Sequence, residues 1–131
     1  MVVNRMDTHK VDPTRRGDLH SGRQVVALIG GPAAVLLTQQ AKYLLTEPAC
    51  ASGELAPLHL VALIGVLLAL ACGALAFHEW RLAGGGWPDH GGGSAGRTRF
   101  MGVLAMLMAA SAALVMIAQW IPDWIVSPCQ H

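Results

Sequence analysis

The sequence predicts an all-α integral membrane protein, a three-transmembrane-helix antiparallel bundle with a cytoplasmic amino terminus and a periplasmic carboxyl terminus. Three observations predict it. Hydrophobic residues fill 53% of the 131 positions and charged residues only 13%, where an ordinary soluble domain carries roughly 25% charge. Mean hydropathy is +0.46. The apolar residues gather into three stretches of about 20, each long enough at ~1.5 Å per residue to cross a hydrocarbon layer ~30 Å thick. A net charge of +1 without a basic stripe excludes a nucleic-acid partner, and three cysteines are too few for a disulfide-rich secreted scaffold.

Residues 1–23 are polar, with Arg5, Lys10, Arg15, Arg16 and Arg23 among Asp7, Asp12, Asp18 and Pro13, and no apolar period runs through them. They read as a disordered cytoplasmic tail. Residues 24–131 form the membrane domain, with helices expected over 25–45, 58–77 and 100–121. Pro48 follows the first stretch, Pro57 precedes the second and Pro122 closes the third, as a residue without an N–H punctuates helices. Pro32, after Gly30-Gly31, predicts a bend in the first helix. Residues 81–99 form a Gly-rich cytoplasmic loop, whose irregular glycine spacing matches no phosphate-binding motif.

Orientation follows from the basic residues. Five precede the first helix, and Arg81, Arg97 and Arg99 lie in the second connection. Segments 46–57 and 122–131 hold no Lys or Arg and carry Glu47, Glu54 and Asp123 instead. Lys/Arg-rich loops stay in the cytoplasm, so the tail and the Gly-rich loop are inside and the carboxyl end outside. The membrane is then a bacterial inner membrane. Ala49-Cys50-Ala51 imitates a signal-peptide cleavage site, but the preceding stretch is too long and its end, Thr38-Gln39-Gln40-Ala41-Lys42, too polar. The first helix is expected to be retained.

Helices in lipid associate through small residues that let backbones approach. Gly65, Ala69 and Gly73 on the second helix, Ala105, Ala109 and Ala113 on the third, and Gly30 with Ala34 on the first supply such stripes. Phe77, Trp80 and Phe100 mark the inner interface; Tyr43, Trp120 and Trp124 mark the outer one.

Cys50 and Cys129 each follow a helix that runs outward, so both thiols reach the same oxidising compartment and a disulfide between them is expected. It acts as a structural staple, since neither cysteine lies in a Cys-x-x-Cys motif. Cys72, within the second helix, is a packing residue. Polar side chains collect at one depth near the outer face: Gln39, Gln40 and Lys42, His59, and Gln119. Two readings stand side by side: an interhelical hydrogen-bond cluster, or separate interfacial residues with Lys42 snorkelling to the headgroups.

No catalytic set, cofactor or metal site is expected. A bis-histidine haem needs two imidazoles at one depth, whereas His59 and His78 lie about 28 Å apart on one helix. Met101, Met106, Met108 and Met116, with Cys129-Gln130-His131, are soft-ligand types, but the four methionines do not share one helix face. No Ser-His-Asp order or paired carboxylates occur at a common depth.

A set of short elements resembles a known family. They are Gly31-Pro32, Gln40, Tyr43 and Ala49-Cys50-Ala51; His59 and Trp80-Arg81; Arg99-Phe100, Gln119-x-x-Pro122 and Pro128-Cys129. Over residues 24–130 the chain is similar to small three-helix bacterial membrane proteins encoded beside haem-copper cytochrome c oxidase subunits and oxidase assembly factors. It departs from them in its long Gly-rich loop. The resemblance implies a non-catalytic accessory subunit or assembly helper of a respiratory oxidase, with the lipid bilayer and other membrane subunits as partners. The alternative is a copper-delivery or thiol-redox factor for oxidase maturation.

Overall fold

The computed structural model describes residues 13–87 and 93–129. Three helices account for most of them: α1 over Pro13–Ser52, α2 over Ala56–Leu82 and α3 over Ser94–Ile125. Among the described residues there is no strand. Each helix is long and apolar enough to cross a membrane, and each packs on both of the others.

The helices outrun the apolar stretches. α1 starts at Pro13, so residues 13–23 of the expected disordered tail are helical; residues 1–12 lie outside the described residues. Proline suits a first helical position, where its φ is preset and its missing N–H would have no partner. α2 continues to Leu82 and α3 begins at Ser94, which shortens the expected loop of 81–99 to the interval between them. Residues 88–92 of that loop are outside the described residues. Pro48 and Pro122, expected to end their helices, instead lie inside the last turns of α1 and α3. Within two turns of a helix end the lost hydrogen bond is one that water can replace. Gly53, at φ +73°, supplies the left-handed residue that ends α1.

The radial distribution of side chains is inverted relative to a soluble bundle. The buried residues are mostly alanine (Ala27, Ala34, Ala62, Ala69, Ala76, Ala105, Ala109, Ala112 and Ala113), while Leu36, Leu37, Leu60, Leu107 and Leu114 lie outside, each at least 60% exposed. Such apolar surface is untenable in water and fits a lipid bilayer.

Close backbone approach sets the packing. A Cβ added at Gly31 would lie 3.2 Å from both the Cα of Ala109 and the carbonyl oxygen of Met108. One at Gly65 would collide with the hydroxyl of Thr38, and one at Gly30 with the sulfur of Cys72. Gly73 stands against Ala109, 3.2 Å between an added Cβ and the alanine methyl, and Gly102 against Trp80. Two small apolar layers result. One holds Ala34, Val66, Ala69, Ala112, Ala113 and Met116; the other holds Ala27, Ala76 and Ala105.

Candidate functional site

The residues with chemistry sort to the two ends of the bundle. At one end Cys50 and Cys129 form a disulfide, with Cα atoms 5.4 Å apart and a sequence separation of 79. It ties the end of α1 to the segment after α3. Just inside it, the ammonium of Lys42 pairs with Oδ2 of Asp123, two side chains that are only 16% and 22% exposed. Lys42 therefore does not snorkel alone; its charge is met by a carboxylate on α3. The hydroxyl of Thr46 donates to the Lys42 carbonyl oxygen at 2.7 Å, an i−4 bond that keeps this turn closed on itself.

Beside this pair an open cleft of about 730 Å³ lies between α1 and α3. Gln39, Gln40, Lys42, Tyr43 and Thr46 form one wall, Gln119, Pro122 and Asp123 the other, Leu58 of α2 the back, and Pro128 the rim. Four of the five polar residues singled out in the sequence thus meet here, namely Gln39, Gln40, Lys42 and Gln119. The glutamines are exposed, and among the described residues their amides make no hydrogen bond to one another or to other groups. Of the two readings, an interhelical hydrogen-bond cluster or separate interfacial residues, the first is not found among the described residues, and the Lys42–Asp123 ion pair joins the helices instead.

His59 belongs to a different face. Its Nδ1 accepts the indole N–H of Trp120 at 2.9 Å, and its ring lies 4.7 Å from that of Trp124. The reason is helical geometry. Leu58 points into the cleft, and the next residue is turned by about 100° around the axis. Trp120 and Trp124 are one turn apart on α3 and form a three-ring cluster with the imidazole.

At the opposite end Glu79 is 2% exposed, the largest fully buried side chain among the described residues. Arg23 of α1 reaches it, Nη2 to Oε1 at 3.0 Å. Around this pair Arg99 donates to the Ala83 carbonyl oxygen at 2.9 Å, Trp80 to that of Gly86 at 3.1 Å, and Arg81 lies 5.7 Å above the Phe77 ring. Sequence reasoning missed Glu79. The signal was present: Gly65, Ala69, Ala76 and Glu79 recur at three- and four-residue intervals or their sum, so the carboxylate shares the buried face of α2.

The packing residues Gly65, Ala69, Ala105, Ala109 and Ala113 are buried and Gly73 is half-buried. A third feature lies along them. Gly73, Ala74, Phe77, Leu70, Met106 and Ala110 line an apolar groove of about 320 Å³ between α2 and α3, floored by Ala69 and Ala109. Of the soft-ligand residues, Cys129 has its sulfur bonded to Cys50, Met116 is buried in the core, and Gln130 and His131 lie outside the described residues. No three His, Cys, Asp or Glu side chains are grouped as a metal ion requires among the described residues. Compared with protein-family models, with curated proteins and with solved structures, the chain matches none.

Proposed function

We propose that the chain is a non-catalytic accessory subunit or assembly helper of a respiratory haem-copper oxidase, held in a bacterial inner membrane as an antiparallel three-span bundle. The amino terminus is cytoplasmic and the carboxyl terminus periplasmic. Arg23, Arg81 and Arg99 at one end and the Cys50–Cys129 disulfide at the other support that polarity, since basic residues stay inside and disulfides form outside. The oxidase is the partner implied by the resemblance over residues 24–130.

A single observation carries the reading of association: the apolar groove between α2 and α3. It presents Gly73, Ala74 and Ala110 at mid-span, where most of the remaining surface is leucine, isoleucine and valine. Small residues at the lipid surface permit a second helix to approach backbone to backbone. A partner's transmembrane helix seated there buries this stripe.

Co-purification from detergent-solubilised native membranes tests it. Oxidase subunits retained in fixed ratio through gel filtration support an accessory subunit. Loss of oxidase copper in a deletion strain supports an assembly role. Neither outcome together with empty pull-downs overturns the oxidase link. Ala110→Leu, which fills the groove from an exposed position, is expected to release the partner while the disulfide stays intact.

A further inference from the structure

The cleft at the disulfide end has a chemistry that the groove lacks. Three glutamine amides face outward on helices otherwise clothed in leucine, with no hydrogen bond among the described residues. An amide in hydrocarbon without a partner is costly. Gln39 lies about 6 Å, roughly one turn, deeper than Tyr43, so these amides reach the zone where headgroups end and acyl chains begin. Lys42 spends one of its three N–H donors on Oδ2 of Asp123, which leaves two donors and the second carboxylate oxygen for something else.

The charges of the lining cancel. A lone phosphate would meet the Asp123 carboxylate, and a lone amine would meet the Lys42 ammonium. A ligand that carries both charges satisfies both. We propose that this cleft binds the headgroup of a zwitterionic phospholipid with a primary ammonium, phosphatidylethanolamine. Its phosphate oxygens accept from Lys42 and the glutamine amides, and its ammonium donates to Asp123 and the amide oxygens. A quaternary ammonium has no N–H to donate and is held instead by several aromatic faces; Tyr43 is the one aromatic residue in the lining. The volume of about 730 Å³ is that of a pocket for a medium-sized polar ligand. One turn deeper on the same helix faces, Leu36 below Gln40 and Val115 below Gln119 are exposed and offer apolar tracks for the acyl chains.

The proposal rests on the membrane placement above but not on the oxidase partner. The full chain in maltoside detergent is mixed with equal amounts of phosphatidylethanolamine, phosphatidylcholine and phosphatidylglycerol of matched chains, and the retained lipid is read by native mass spectrometry. Phosphatidylethanolamine is expected in about tenfold excess over phosphatidylcholine, the worth of one charge-assisted hydrogen bond. Gln39→Leu and Gln119→Leu, which leave the ion pair and the disulfide in place, should each lower that retention about fivefold with unchanged circular dichroism. Asp123→Asn should turn the preference toward anionic phosphatidylglycerol, a reversal that an unfolded variant does not give. Soluble glycerophosphoethanolamine should displace the lipid, whereas displacement by inorganic phosphate alone would mean that only an anion is read and would overturn the zwitterion. Equal retention of all three lipids, or a preference untouched by these variants, overturns the site. A chain that dissolves as a monomer without detergent overturns the membrane placement itself, a result distinct from either.

Discussion

Arg23 and Glu79 form an ion pair 3.0 Å long in which the guanidinium is half in solvent and the carboxylate is sealed beneath it. The two partners therefore do not contribute equally. Removing the arginine takes a cationic partner from a buried carboxylate, which costs about 3 kcal/mol. Arg23→Ala is expected to lower the unfolding free energy in detergent by that amount, measured by helicity loss. Arg23→Ala combined with Glu79→Leu should recover most of it, because a buried pair replaced by an apolar side chain of similar size is close to neutral. If the single variant is as stable as the parent, the pair is not what holds α1 at the foot of α2.

Two glycines crowded by different kinds of neighbour are expected to behave differently. An added Cβ at Gly65 meets the end of a side chain, Thr38, whereas one at Gly31 meets the backbone of α3. Overpacking costs about 1–3 kcal/mol in each case. Thr38→Ala should rescue Gly65→Ala, and no side-chain change on α3 should rescue Gly31→Ala. Gly22→Ala is the control: nothing lies within 4 Å of its Cβ position, so alanine there should stabilise the helix by about 1 kcal/mol. Thermal unfolding of these variants, with Gly31→Ala also combined with Met108→Ala on α3, reads all three statements.

The disulfide joins residues 79 positions apart, closing a segment that includes all of α2 and α3. Reduction, or Cys50→Ser, is expected to cost about 4–5 kcal/mol on the chain-entropy account. The loss should appear as a reductant-dependent fall in the unfolding midpoint, and a midpoint indifferent to reductant would contradict it. Lys42 and Asp123 bridge the same two helices. A double-mutant cycle of Lys42→Ala and Asp123→Ala is expected to show a coupling larger in the reduced protein, where the ion pair is no longer backed by the covalent link.

Trp120 can donate to Nδ1 of His59 only if that nitrogen carries no proton. The neutral imidazole is then protonated at Nε2. Nitrogen-15 chemical shifts of selectively labelled histidine should report that tautomer for His59. Trp120→Phe should abolish the fixed tautomer and cost about 1 kcal/mol, the worth of one neutral hydrogen bond. A Nδ1-protonated signal in the parent would exclude the bond.

Much of the architecture can be read from residue order, because three apolar runs and their proline and arginine flanks are properties of single stretches. The Cys50–Cys129 pair was also readable, since two odd-numbered spans deliver both residues to one side. What escaped depends on rotation about a helix axis. His59 and Gln119 share a depth but not a face, so reading depth alone grouped an imidazole with amides it does not touch. Glu79 escaped because a lone carboxylate at a helix foot beside Arg81 reads as solvated, and its burial depends on Arg23, 56 positions earlier. The prolines misled for the opposite reason. Pro48 and Pro122 interrupt one bond each in turns near helix ends, where the loss is too small to end the helix.

A seam made of alanine and glycine has almost nothing left to shave away. Familiar truncation scanning would glide over it and report an indifferent protein, while enlargement by one methyl at Gly31 or Gly65 would jam it. The sensitive direction is growth. Inherited variation in such a chain should accordingly be one-sided, free among the outward leucines and closed to any bulkier occupant along the axis.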